Sequence, residues 1–278
     1  QTQSTGIGTA TYNLVSVDKS TGWFIFYSGS VFSNIEQVLR QIPLGGNKIA
    51  VGWLDSMWDG YIVIGTTNYS SISFGTEVVS NVDVWNQIAV KLDTDRFAIV
   101  WENWLDVVCA SYDVTGTTFA IDAWPQIITS MTPTQISTLC KWANFVGSIV
   151  QVAIDKFVMC PSSDTISFVV DTSSGITSGS NAPVSSWVYN SVVWVDAISR
   201  LVWITNNGTD TSWYIVWVSG TTLTFSGQSW SLTSDTIQYK IANSNGDSVS
   251  MVWVVDAWDL SHFRAIRGTV SVSSFSLT

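Results

Sequence analysis

Charge is what this 278-residue chain has least of: 12% of its residues are Asp, Glu, Lys or Arg, against 46% that are hydrophobic. Eleven Lys plus Arg face twenty-one Asp plus Glu, for a net charge of −10 and a pI near 4.2. No basic cluster is present to neutralise phosphates, which excludes nucleic acid as a partner; the acidity serves solubility. No stretch of about 18 apolar residues occurs, so no helix inserts into a membrane. There is one histidine, His262. No motif supplies the serine and carboxylate of a triad around it, and it reads as a loop residue. Three cysteines, Cys109, Cys140 and Cys160, lack metal-ligand spacing. They leave two arrangements open: one Cys140–Cys160 bridge beside a buried thiol, or three free buried thiols. No phosphate-cradling glycine loop appears, and neither a metal nor any other cofactor is implied.

Ser, Thr and Asn fill the place of charge, and they suit exposed strand faces and turns. Sixteen Trp accompany them. Each buries a large area, and a buried indole N–H needs an acceptor. The chain also repeats itself. A phrase of polar turn, hydroxyl residues, a hydrophobic residue and a second aromatic or apolar one recurs at 70–74, 116–121, 219–225 and 271–277, with a weaker copy at 174–178. Aligned on Ile72, Phe119, Ile176, Leu223 and Phe275, the copies lie 47, 57, 47 and 52 residues apart. Periods of this size mark supersecondary units that bury their faces only against their neighbours.

Each unit reads as four short strands, A to D. An Asp-bearing turn follows strand A (15–22, 90–96, 152–156 and 193–200), and strand B is an apolar run (49–53, 97–101, 201–204 and 251–255). Strand C starts near Tyr61, Val107, Ile166, Tyr214 and Phe263, and the repeated phrase turns the chain into strand D. Val, Ile, Trp and Thr dominate these runs, and Gly, Asn, Ser and Asp separate them. Five complete units fit, at about 35–80, 84–127, 142–184, 186–232 and 235–278, while 12–29 forms an A–B pair without C and D. The expected fold is all-β: a single β-propeller domain over 1–278, built from four-stranded blades whose closure protects sheet edges. Six blades are favoured, with the N-terminal pair helping to close the ring; five blades plus an N-terminal extension is the alternative. Residues 125–143 stand out as an insertion. Thr132, Pro133 and Gln135 make a capping-box-like start, and Ile136, Leu139 and Cys140 share a face, which predicts one short helix near 132–142.

On such blades the B–C turns and D–A links share one rim, and the A–B and C–D turns share the other. The B–C turns carry Asp55, Trp58 and Asp59; Asn103 and Trp104; Asn206 and Trp213; and Asp256 and Trp258. Trp58-Asp59 and Trp258-Asp259 match, and Trp104 with Asp106 approximates them. An aromatic face beside a carboxylate or amide suits a sugar, since the ring packs on its C–H face and the polar group takes its hydroxyls. The same residues also suit packing between blades and turn capping. Trp53, Trp101 and Trp203, at the end of strand B, belong to the core. A two-carboxylate glycosidase drawn from Asp55, Asp59, Asp256 or Asp259 has no spacing that marks a pair. Asp93-Thr94-Asp95 begins like a calcium loop but lacks the further ligands, and reads as a β-turn.

The Trp-Asp pairs invite comparison with WD repeats, yet that family's Gly-His pair has no counterpart here. Ser111-Tyr112-Asp113, with Gly116, Thr118 and Phe119, is similar to the Asp-box of sialidase-like propellers with one residue inserted. In that family the box is a structural turn, and the five Arg of this chain do not supply the family's three-arginine grip on a carboxylate. Residues Asp93–Asn103, Tyr61–Val79 and Ser212–Gly227 together resemble the propeller-type repeats of phage tail-fibre and bacterial extracellular adhesin-like proteins. The resemblance covers most of 35–278 outside the insertion, with Trp101, Trp203, Trp217 and Trp253 where such repeats more often have Tyr or Thr. It implies an extracellular, virion-surface or cell-surface setting, recognition of a surface glycan or structural display, and no enzymatic activity. Gln1 in first place fits a processed secreted protein or an excised domain. Sequons at Asn68-Tyr69-Ser70 and Asn207-Gly208-Thr209 fit surface turns.

The leading expectation is a non-catalytic propeller that binds carbohydrate through shallow sites on the B–C rim, with avidity from near-equivalent copies. The alternatives are a structural subunit of a virion, fibre or surface layer, whose Trp side chains meet neighbouring subunits, and, third, a glycoside hydrolase.

Overall fold

The computed structural model of the chain describes its residues other than 1–7, 18–23, 36, 55–56, 58, 69–70, 77, 82–86, 104–105, 131–148, 160–166, 182–188, 207–210, 231–235, 258–259, 272–274 and 278. The described residues are strands and turns, with a single 3-10 turn at Asp196–Ile198 as the one helical stretch among them. The chain divides into two compact units, Gln1–Ser130 and Met131–Thr278.

The first unit opens on an antiparallel hairpin of β1 (Gly8–Val17) and β2 (Phe24–Ile35). Its first sheet is the meander β3 (Gln37–Pro43), β4 (Lys48–Leu54), β5 (Gly60–Asn68) and β6 (Ser71–Phe74), and the short β7 (Val78–Asn81) also pairs with β5. Its second sheet is β8 (Gln87–Asp93), β9 (Arg96–Asn103), β10 (Asp106–Thr115) and β11 (Thr118–Ser130). The second unit holds three meanders. They are β12 (Ile149–Ala153), β13 (Lys156–Met159), β14 (Ser167–Asp171) and β15 (Thr177–Asn181); then β16 (Tyr189–Val195), β17 (Arg200–Asn206), β18 (Thr211–Ser219) and β19 (Thr222–Trp230). The last is β20 (Thr236–Asn245), β21 (Ser248–Ala257), β22 (Leu260–Val270) and β23 (Phe275–Leu277). The protein is thus all-β, with five antiparallel A–B–C–D meanders at the five expected places. The N-terminal A–B pair is the β1–β2 hairpin.

The expected helix near 132–142 lies outside the described residues. The start of the expected insertion needs correction, because 125–130 continue β11 instead. Gln126, Ile127, Thr129 and Ser130 pair with Cys109, Val108, Val107 and Asp106, and the β-branched Ile127, Ile128 and Thr129 suit a strand.

Strand B is an unbroken apolar run because both of its faces are covered. All of Leu201–Ile204 is buried, although alternate side chains of a strand point to opposite faces. Val202 and Ile204 share a core with Val249 and Val270 of the fifth sheet, while Leu201 and Trp203 share one with Val152, Val158 and Val169 of the third. A strand covered on both sides loses the alternation of a half-exposed one. In the first unit, Ile62 and Ile64 of β5 pack with Phe97, Ile99 and Trp101 of β9, and Val51, Trp53 and Val63 form a separate cluster.

Turns repeat their hydrogen bonds as strands repeat their sequence. The Val114, Thr172 and Val270 N–H groups, just past or at the end of strand C, donate to the carbonyls of Asp95, Asp155 and Asp247 in the A–B turns, at 2.7, 2.8 and 2.8 Å. Neighbouring sheets are keyed at the same rim. Lys91 Nζ donates to the Leu44 carbonyl at 3.3 Å, and Lys48 pairs with Asp95, each link spanning 47 residues, or one repeat. Gly75 lies against Thr117 in the next sheet's C–D turn, where a Cβ would stand 2.2 Å from the Thr117 carbonyl oxygen. Gly179 of β15 sits the same way against Thr221, at 2.3 Å. The Gly-Thr-Thr of the repeated phrase follows from this. Gly116 (φ 63°) and Gly220 (φ 57°) take the left-handed position of the turn, and the Thr after each seats on the preceding sheet.

Gly75→Ala and Gly179→Ala are each expected to cost about 1–3 kcal/mol, the range for forcing atoms into packed space. Ser73→Ala, on an exposed position of β6, should stay within about 0.5 kcal/mol of the parent. Urea unfolding measures both; unchanged midpoints for the two glycine variants would refute the keyed contact.

Candidate functional site

Four B–C turns are bracketed by strand pairs at matching places: Leu54 with Gly60, Asn103 with Asp106, Asn206 with Thr211, and Ala257 with Leu260. Asn103 and Asn206 are the last residues of strand B in their sheets, and Asp256 stands one residue before that end, opposite Ser261. The backbone therefore brings these three to the same mouth of the meander. Asp59 is half-buried immediately before β5, with Met57 exposed nearby. Beneath this turn Trp53 stacks on Tyr61, with ring centroids 5.5 Å apart and planes 9° from parallel. Asp55, Trp58, Trp104 and Trp258 lie outside the described residues.

Trp213 does not belong with them. Only 6% exposed, it packs with Ile204, Ile215 and Val249 in the core between the fourth and fifth sheets. The reason is register: it pairs with Ile204 inside the β17–β18 ladder, on that residue's buried face, rather than standing in the loop. Trp53, Trp101 and Trp203 are buried, as their place at the end of strand B suggests. His262, expected in a loop, is on β22 opposite Val255.

The A–B and C–D rim carries residues that the sequence pattern of Trp and Asp does not pick out. In the first four sheets strand B opens on a cation: Lys48, Arg96, Lys156 and Arg200. Arg96 Nε lies 3.1 Å from Asp113 Oδ1, and its guanidinium also holds Asp122. Lys156 pairs with Asp171 at 2.9 Å, and Arg200 lies over the Trp217 ring, 5.2 Å from its centroid. The available signal is a Lys or Arg directly after the turn residue in Asn47-Lys48, Asp95-Arg96, Asp155-Lys156 and Ser199-Arg200. The Asp-box-like residues also take up scaffolding roles. Ser111 and Asp113 are in β10, and the Ser111 hydroxyl donates to Asp122 at 2.8 Å. Asp93-Thr94-Asp95 is the β8–β9 turn, where the Thr94 N–H donates to Asp93 Oδ1 at 2.7 Å. Among the described residues no group of three His, Cys, Asp or Glu is placed to hold a metal ion.

The electrostatics match those roles. Desolvation acts to raise the Asp122 carboxyl, but hydrogen bonds from Ser111 and Arg96 and the Arg96 charge bring it below its ordinary value. Asp171 is likewise lowered, because Ser173 and Lys156 outweigh desolvation. Burial pushes the Cys109 thiol up, out of reach of ionisation at neutral pH. Burial, with a smaller contribution from Cys109, pushes Tyr112 up to about 12. The two carboxylates stay anionic and engaged, while thiol and phenol stay protonated; none of the four is poised to trade a proton near neutral pH.

Neither a family model nor a curated protein matches the sequence. Among solved structures, the chain is similar to the crystal structure of Saccharomyces cerevisiae Sqt1, with 11% identity and a TM-score of 0.50 over 96% of this chain and 77% of that one. That likeness is one of fold alone. Pyrococcus horikoshii acylaminoacyl peptidase overlays 92% of this chain on 42% of its own, at 12% identity and a TM-score of 0.41. Such an overlay bears on neither fold nor chemistry.

Because Asp122 is lowered in the folded chain, its contribution to stability is complete above the ordinary value of 3.8 and is lost as pH falls through the lower folded value. Asp122→Asn should therefore flatten the acid limb of a plot of melting temperature against pH; an unchanged limb would disprove the coupling. Cys109 should resist iodoacetamide in the native chain and alkylate once urea unfolds it, read by peptide mass mapping. Native labelling at Cys109 would contradict its burial.

Proposed function

We propose that the five sheets are blades of one β-propeller, with the β1–β2 hairpin as a partial sixth. On this reading the protein is a non-catalytic extracellular, virion-surface or cell-surface module that binds carbohydrate at its B–C turns. The observation that carries the reading is the recurrence of Asn103, Asn206 and Asp256 at the mouth of the same turn in three different sheets. Two of these mouths, and that of Asp59, have a Trp in the adjoining turn sequence. Polar groups at the mouth accept or donate to hydroxyls, and the neighbouring indoles supply a stacking face. Several such turns on one body make weak single sites useful, since linked sites bind by avidity.

A second reading, a subunit of a virion, fibre or surface layer, takes the exposed Trp124 ring of β11 as a contact to a neighbouring subunit. Mass photometry separates the two, because assembly into defined oligomers is required by the second and not by the first.

A glycan array followed by titration calorimetry tests the first. Binding to at least one glycan is expected, weakened roughly two- to tenfold by Trp58→Ala or Trp258→Ala, as suits the loss of one aromatic contact. No binding to any neutral or acidic glycan would sink it.

A further inference from the structure

β11 departs at two positions from features that other D strands share in pairs. Phe74 and Phe225 pack on their own sheets at a position where β11 has Ile121, 42% exposed. At the next position, where Gly75 and Gly179 seat the following turn, β11 has Asp122, bound by Arg96 and Ser111 of its own sheet. The strand then runs on to a length of thirteen residues. Within it Trp124 stands 73% exposed and Ile127 59%. Trp53, Trp101, Trp203 and Trp213 are buried, and Trp194 and Trp217 half-buried, so Trp124 is the one exposed indole among the described side chains.

The local backbone accounts for this display and narrows what can meet it. Cys109 pairs with Gln126 and Ser111 with Ala123, so Trp124 and Pro125 together oppose the single residue Ala110. Such a bulge re-aims side chains and interrupts the edge ladder. Pro125 has no N–H to offer an added strand, which closes this edge to β-pairing with a second copy. A flat protein partner needs about 800 Å² from each side. One Trp offers at most about 250 Å², and the two partly covered isoleucines do not make up the difference. The only ionisable group on the strand, Asp122, already has Arg96 as its counter-charge.

What remains is an isolated aromatic face on a strand whose one carboxylate is already engaged, with the exposed amide residue Gln126 two positions away. We infer that Trp124 is a stacking subsite for a neutral oligosaccharide. The subsite rests on the carbohydrate-binding reading and extends it from the turn mouth down the edge of the second sheet. Ala110, opposite the bulge, and Asp106, which pairs with Asn103 at that mouth, are four strand residues apart, roughly 13 Å. The occupant is therefore a chain of sugars rather than a single one.

Affinity electrophoresis of the full chain through gels containing starch, galactomannan, xyloglucan or acidic alginate tests this. At least one neutral polysaccharide should retard the parent. Trp124→Ala and Trp124→Leu should lose roughly tenfold in apparent affinity for it, the upper end of an aromatic contact, while Trp124→Tyr keeps most of it. The exposed position predicts unchanged unfolding midpoints for all three. Equal retardation of parent and Trp124→Leu, or retardation by alginate alone, overturns the subsite and leaves carbohydrate binding at the turns in place. Retardation by none of the four also overturns the subsite; the glycan array, if it too is blank, removes the wider reading. Loss of an oligomer in Trp124→Ala with retardation unchanged assigns the ring to a neighbouring subunit and overturns the proposal.

Discussion

A four-stranded antiparallel sheet with apolar side chains on both faces has no stable existence alone in water, because whichever face packs, the other is left wet. That requirement runs through both compact units. The fourth sheet gives one face to the sheet before it and one to the sheet after, with Leu201 and Trp203 on one side and Val202 and Ile204 on the other. Removal of one such buried aromatic typically costs about 3–5 kcal/mol, so stability rests on contacts between nearest neighbours. The requirement also tolerates local imperfection. The Trp203 indole N–H is buried without an acceptor among the described residues, a cost of about 1–3 kcal/mol that is offset by the area its ring removes from water.

Once the faces are committed to packing, the polar chemistry is confined to the turns. The scarce charges collect where the A–B and C–D turns meet: Lys48 with Asp95, Arg96 with Asp113 and Asp122, and Lys156 with Asp171. Pairs this exposed add about 0–1 kcal/mol each, so their larger effect is to hold the turns in register beside the seated glycines. The other ends of the strands carry the B–C turns. It is at these mouths that Asn103, Asn206 and Asp256 recur.

Much of this was legible along the chain. The runs at 97–101 and 201–204 read as strands because unbroken Val, Ile, Phe and Trp between turn residues has few other solutions, and the C–D phrase located every hairpin to within a few residues. The cations at the start of strand B carry a signal of their own, a Lys or Arg directly after the turn. Trp213 was misplaced because Trp-Tyr after a polar stretch looks the same whether it lies at a loop's end or two residues inside a ladder. Residues 125–130 read as the start of an insertion, since the interval between Phe119 and Ile176 is 57 residues against 47 for its neighbours. Only the register with β10 reveals a bulge that accommodates Pro125 and lets β11 continue to Ser130.

The sequence by itself determined the all-β class, the five meanders and the positions of their turns, since these depend on residues close together in the chain: side-chain alternation, β-branching and the left-handed glycines at 116 and 220. The tertiary structure decided which of the chemically identical tryptophans are scaffold and which face water. Trp213 is covered because the fifth sheet supplies Val249 and Val270 against it, whereas Trp124 is lifted by a bulge on an edge strand. No local pattern encodes that difference, because burial is a property of what lies opposite a residue in space.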